Sequence, residues 1–147
     1  IEHTTQLNTA GPDLAALAGV HALTDVTGFG LAGHALEMAR GSDTMVRLDM
    51  ARVPLIEGVR SLASAGMVTG ASGRNWAAYG HEVRLGAGLP PVDQALLSDP
   101  QTSGGLLVAC APEALNDVLA AFQRHGFGQA AVVGEVAPRG QAPLVIR

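Results

Sequence analysis

Lysine is absent from the 147 residues, and all nine basic side chains are arginines. Within this chain that excludes chemistry built on an amine, such as a P-loop lysine on phosphates or a Schiff base. Cysteine is nearly absent as well. The lone Cys110 has no partner for an internal disulfide, which suits a reducing, cytoplasmic setting. Its place in Leu106-Leu107-Val108-Ala109-Cys110 favours a small apolar residue of a buried strand over a nucleophile. Charge is sparse, at 15% of residues, and the net value of −4 argues against nucleic acid as a partner. The arginines are scattered from Arg40 to Arg147 and form no patch. No apolar run is long enough to span a bilayer, so no membrane is expected as a partner. Ile1-Glu2-His3-Thr4-Thr5 lacks the basic start and apolar stretch of a signal peptide. A first residue of Ile rather than Met suggests a piece trimmed from a longer polypeptide.

What is present is a hydrophobic fraction of 48%, enough for residues 1–147 to fold as one domain around a real core. Leu14, Leu17 and Ala18 recur at helical spacing between Gly11 and Leu23, and His21 to Val26 follows as a short strand. Leu31 to Arg40 is a helix with Gly41 as its stop, and Met45 to Met50 alternates as a half-buried strand. Pro54 precedes a second amphipathic helix through Ile56, Val59, Leu62 and Ala63, which Gly66 ends. Thr69 to Gly73 is expected as loop, Arg74 to Tyr79 and Val92 to Leu97 as short helices. Leu106 to Ala111 is a buried strand, Pro112 to His125 the clearest helix, and Ala131 to Val136 and Pro143 to Ile146 the last strands. Helices and strands mix without strict βαβ repetition, which points to an α+β fold with helices flanking a mixed sheet.

Two loops carry the chemistry. In Asp25-Val26-Thr27-Gly28-Phe29-Gly30 a strand turns into a helix through glycines. Unpaired N–H groups at a helix start attract anions, and Gly28 and Gly30 present no Cβ to a close-lying phosphate. A carboxylate beside a phosphate calls for an intervening cation, so Asp25 is the candidate Mg²⁺ ligand and Thr27, Gly28 and Gly30 the candidate phosphate neighbours. The competing explanation is that Asp25 or Thr27 simply caps the helix. The second loop is Asp99-Pro100-Gln101-Thr102-Ser103-Gly104-Gly105, whose hydroxyls and glycines suit a phosphate-binding nest or, alternatively, a tight turn with Asp99 bonded to its own backbone.

Gly28-Phe29-Gly30-Leu31-Ala32-Gly33 also matches G-x-G-x-x-G, with Asp49 closing the next strand. That is the outline of the dinucleotide-binding unit of an oxidoreductase, and it stands as the second reading. Asp25 and Thr27 speak against it, since the strand entering such a unit is apolar up to its turn.

Thr24-Asp25-Val26-Thr27-Gly28-Phe29-Gly30-Leu31-Ala32-Gly33-His34, Asp99-Pro100-Gln101-Thr102-Ser103-Gly104-Gly105-Leu106-Leu107 and the closing Gly134-Glu135-Val136, in this order and separation, closely resemble the selenophosphate synthetase family. The likeness covers nearly the whole chain. It implies the C-terminal domain of a two-domain synthetase, with a fold shared with aminoimidazole ribonucleotide synthetase and hydrogenase-maturation dehydratases. It further implies conversion of ATP, selenide and water to selenophosphate, AMP and phosphate, with Mg²⁺ held in part by Asp25. The reactive Cys or selenocysteine and an essential Lys then belong to an N-terminal half outside this chain. A cytoplasmic homodimer with ATP between its two halves is implied too, and a related synthetase with another substrate remains an alternative. Arg74 and Asn75 follow a Gly-rich loop and are candidate anion contacts, against the plainer roles of a solvated arginine and a helix-capping asparagine. His34 is expected to be structural, because the sequence sets no carboxylate or nucleophile beside it.

Overall fold

The computed structural model describes residues 5–147; Ile1 to Thr4, including His3 and most of the segment considered for a signal peptide, lie outside the described residues. Two separate cores account for the layout. In the first, the run Leu106 to Cys110 forms strand β4, which pairs antiparallel with β1 (Val20–Asp25), Asp25 lying opposite Leu106. Two strands cannot bury their own faces, so helices α1 (Gly11–Ala15) and α6 (Leu115–Arg124) cover them. Leu14 of α1 meets Val118, Ala121 and Phe122 of α6, and Leu23, Leu106 and Val108 pack against that cluster.

The second core belongs to helix α2 (Gly30–Gly41) and a four-stranded sheet. Its strands are β2 (Thr44–Leu48), β3 (Val83–Leu85), β5 (Gly134–Pro138) and β6 (Leu144–Ile146). They lie in the order β3-β6-β2-β5, with β6 parallel to both neighbours and β5 antiparallel to β2. Ala32, Ala35, Leu36 and Ala39 fall on one face of α2 at spacings of three and four, and all are buried against Val46, Leu48, Leu144 and Ile146. Three short helices complete this side: α3 (Val59–Ser64), α4 (Gly70–Tyr79) and α5 (Pro91–Leu97). The buried Asp93 of α5 is paired with Arg60 of α3, which keeps its charge compensated.

The α+β expectation and the mixed sheet flanked by helices hold. The dinucleotide-binding outline does not: β1 pairs antiparallel with β4 while β2 lies in the other sheet, so no parallel βαβ crossover follows the glycine turn. Thr69 to Gly73 is not a loop, because the Thr69 hydroxyl caps the backbone of Ser72 and starts α4 at Gly70. The helix expected after Pro54, with Ile56 in it, begins only at Val59 and leaves Ile56 exposed before it. The strand expected at Ala131 begins at Gly134, and Pro112 opens a 3-10 turn ahead of α6. The strand ending at Met50 stops at Leu48, and Met50–Arg52 forms a 3-10 turn. Gly41 lies inside α2; the left-handed residue after the helix is Asp43, at φ 53°. Among the described residues no helix is long and apolar enough to cross a membrane.

Leu36 is fully buried between α2 and the sheet. Leu36→Ala is expected to destabilise the chain by about 2–5 kcal/mol. The check is the urea midpoint at unchanged m value; a loss below about 1 kcal/mol would contradict this packing.

Candidate functional site

Asp25 stands at the last position of β1 with its side chain exposed, and no described residue bonds or pairs with its carboxylate. The chain then turns through Thr27, Gly28 and Phe29 into α2. No side chain caps this helix, so the capping explanation for Asp25 and Thr27 falls away. Gly28 and Phe29 are both exposed, and their N–H groups meet no acceptor among the described residues. A free carboxylate and free N–H groups therefore share one open turn.

The carbonyls of the turn face the other way and are all held. The Asn75 amide donates to the carbonyls of Gly28 at 2.8 Å and Ser98 at 3.0 Å. The Tyr79 hydroxyl donates to Phe29 O at 2.7 Å, and the N–H of Gln101 to Thr27 O at 3.0 Å. Helix α4 thus clamps the turn to the second loop. Asn75 is neither a cap nor a free donor, since both its N–H bonds end on backbone. Gln101 and Tyr79 were not singled out in the sequence because each acts through a bond to distant backbone. The backbone N–H of Phe29 was missed for another reason: it carries no side-chain signature.

Gly30 takes φ +71°, and a Cβ there would lie 2.7 Å from Leu97 O and 3.0 Å from Asp99 O. Its own N–H donates to Thr27 O at 3.1 Å. Gly30 therefore serves the contact between the loops; it has neither space nor a donor left for a phosphate. Gly28 has open space around the same position and keeps its candidate role. In the second loop a Cβ at Gly104 would fall 1.9 Å from Val26 O, so this glycine also permits close backbone approach. Asp99 makes no bond to its own backbone through its side chain. Its Oδ1 accepts from the hydroxyls of Thr69 and Ser72, each at 3.0 Å, which fixes the loop to the start of α4.

Arg74 is exposed on α4, one residue before Asn75, and makes no ion pair among the described residues. Its guanidinium is thus available to an anion, though the structure sets it beside Gly70 rather than on the turn. Cys110 is half-buried in β4, where desolvation pushes its thiol up and away from thiolate chemistry. His34 is buried on α2 and does have a hydroxyl and a carboxylate beside it, contrary to the expectation from sequence. Its Nε2 lies 3.1 Å from Thr27 Oγ1, and its Nδ1 lies 3.0 Å from Glu37 Oε2. No group of three His, Cys, Asp or Glu side chains among the described residues forms a metal site. Asp25 fits a hard cation as one carboxylate whose remaining ligands are phosphate oxygens, water or groups outside the described residues.

The model for the family "AIR synthase related protein, C-terminal domain" matches residues 3–146. The selenide, water dikinase of Burkholderia ambifaria is 65% identical over 133 residues, which is 90% of this chain and 38% of that protein. The selenide, water dikinase of Dechloromonas aromatica is 56% identical over 137 residues, 93% of this chain and 39% of that protein. The chain accordingly spans less than half the length of these curated relatives. The hydrogenase maturation protein HypE of E. coli superposes with a TM-score of 0.66 over 94% of this chain and 35% of its own, at 22% identity, a likeness of fold.

Gly30→Ala is expected to lower stability by about 1–3 kcal/mol or more, because the new methyl group meets backbone at a positive φ. A thermal melt within error of the parent would remove Gly30 from the crossing. Tyr79 offers a second check, as it is the one tyrosine of the chain. Burial pushes its phenol up to about 12, with the backbone of Gly33 partly opposing. The folded state thus favours the neutral phenol more than the unfolded state does. Its contribution is complete below the unfolded value near 10 and is lost as pH rises toward 12. Absorbance of the tyrosinate should rise toward pH 12 in the folded chain, and titration near the ordinary value of 10 would show the phenol not to be buried there.

Proposed function

The chain belongs to the family of AIR synthase related proteins, C-terminal domain, and from that premise we propose that it is the C-terminal domain of a selenide, water dikinase, with the open turn at Asp25 receiving the metal-bound phosphates of ATP. Identities of 65% and 56% to selenide, water dikinases support the activity of the whole protein: ATP, selenide and water give selenophosphate, AMP and phosphate. The observation that carries the site is the pairing, on one exposed turn, of the free Asp25 carboxylate with the free N–H groups of Gly28 and Phe29.

Phosphate oxygens accept hydrogen bonds and carry negative charge, so the two N–H groups suit them and Asp25 repels them. Asp25 would hold a magnesium ion, which supplies the charge neutralisation that lets a carboxylate and a triphosphate share a site. Clamping by Asn75, Tyr79 and Gln101 keeps the N–H groups aimed outward before any phosphate arrives, so little ordering is needed on binding. Arg74 on α4 is a further cation for the same anion. Among the described residues no group of three His, Cys, Asp or Glu side chains forms around Asp25, and the resemblance to selenide, water dikinases assigns the remaining ligands, the reactive Cys or selenocysteine and the Lys to an N-terminal half. A cytoplasmic homodimer is part of the same reading.

In the full-length enzyme Asp25→Asn is expected to cut selenophosphate formation at least about 100-fold, as befits a direct metal ligand. Stability should stay within about 0.5 kcal/mol, since the exposed carboxylate has no structural partner to lose. The chain on its own should release no AMP from ATP in the presence of selenide. Undiminished turnover by the Asp25→Asn enzyme would sink the site, and turnover by the chain alone would sink the division of labour between the halves.

A further inference from the structure

Glu37, His34 and Thr27 stand in a row that ends on the open turn. Glu37 Oε2 lies 3.0 Å from His34 Nδ1, and His34 Nε2 lies 3.1 Å from Thr27 Oγ1. The histidine side chain is 8% exposed, whereas Glu37 is 52% exposed and Thr27 faces solvent. His34 Nδ1 is buried without an aligned hydrogen bond, and the Glu37 carboxylate lies beside it. A bare lone pair on Nδ1 would set a second negative end 3.0 Å from that carboxylate, and on that ground the hydrogen is assigned to Nδ1. A neutral imidazole with its hydrogen on Nδ1 keeps its lone pair on Nε2. Nε2 then accepts, and the Thr27 hydroxyl must donate to it.

That donation decides what Thr27 can offer to a ligand. Its single proton is spent inward, so only the oxygen lone pairs remain on the open side, two residues beyond Asp25. Phosphate oxygens bring no proton and are poor company for such lone pairs. Water bound to a cation brings protons and is a good one. We propose that Glu37 and His34 are positioning residues that fix the Thr27 hydroxyl as a hydrogen-bond acceptor, so that Thr27 takes the hydration shell of a cation beside Asp25 and leaves phosphate to the backbone N–H groups. The proposal rests on the assignment of Asp25 to a metal-bound phosphate and refines it. The three groups have the order of a carboxylate-imidazole-hydroxyl triad, but the hydroxyl here orients and does not attack.

The test reads the imidazole directly. In the chain labelled with nitrogen-15 histidine, long-range proton-nitrogen correlation should show His34 neutral, with the hydrogen on Nδ1 and Nε2 shifted as an acceptor. Loss of that spin system in His34→Gln assigns it among the five histidines. Thr27→Val should return Nε2 to the value of a free lone pair, and Thr27→Ser should not. A hydrogen on Nε2, an imidazolium, or a spectrum indifferent to Thr27→Val overturns the proposal. In the full-length enzyme His34→Gln, whose amide oxygen can replace Nε2 as acceptor, should retain most turnover, while His34→Phe should lose about 10–100-fold. Equal loss in both overturns the proposal as well. If Asp25→Asn abolishes turnover and the spectrum shows a hydrogen on Nε2, the relay alone fails. If the spectrum is as expected and Asp25→Asn is fully active, the metal-phosphate reading fails by itself.

Discussion

The two hydrogen bonds of the Asn75 amide tie the open turn to the end of α5. One ends on Gly28 O and the other on Ser98 O, so a single planar group fixes the spacing of two loops that are 70 residues apart in the chain. A side chain with two donors in a rigid plane suits this role, because it satisfies both carbonyls without ordering a third group. Its consequence is a polarity of the turn. Carbonyls that point inward to Asn75, Tyr79 and Gln101 leave the opposing N–H groups pointing outward, where nothing in the described chain meets them.

The turn also lies where two cores adjoin. Strand β1 arrives from the two-stranded sheet covered by α1 and α6, whereas α2 leaves to pack on the four-stranded sheet. Residues 26–29 are too few to bend freely between two such anchors. Close approach of backbone to backbone then makes the junction rigid: Gly30 abuts residues 97–99, and Gly104 abuts Val26 O. Rigidity of this kind favours a site that binds a multiply charged ligand, since donors already in place need no reorganisation when the charge arrives. Asp99, tied to the hydroxyls of Thr69 and Ser72, contributes to this frame and leaves Asp25 as the free carboxylate of the two.

A single free carboxylate also makes the site incomplete in chemical terms. A magnesium ion bound through one carboxylate relies on phosphates and water for its other positions, and a phosphoryl transfer needs further charge on the opposite side of the phosphate chain. The chain spans only 38% and 39% of the dikinases it resembles.

Much of this was legible in the sequence. The helical pattern from Leu31 to Arg40 marked α2, and the unbroken apolar run from Leu106 marked a strand, although β4 is half-buried where a buried one was expected. Asp25 before a glycine turn pointed to the candidate site, because a carboxylate and a glycine-rich helix start can be read from residue type, whereas which N–H groups stay free cannot. Short-range patterns failed where a distant contact ruled: Thr69 to Gly73 has loop composition, yet the bonds of Thr69 and Ser72 to Asp99 accompany its helical start. Only the tertiary structure decided that Gly30 serves packing while Gly28 stays open, that Asn75 clamps instead of capping, and that His34 lies between Glu37 and Thr27. The reason is physical: a residue's chemistry is local and travels with its letter, but which of its donors and acceptors remain free depends on partners that the fold brings in from elsewhere.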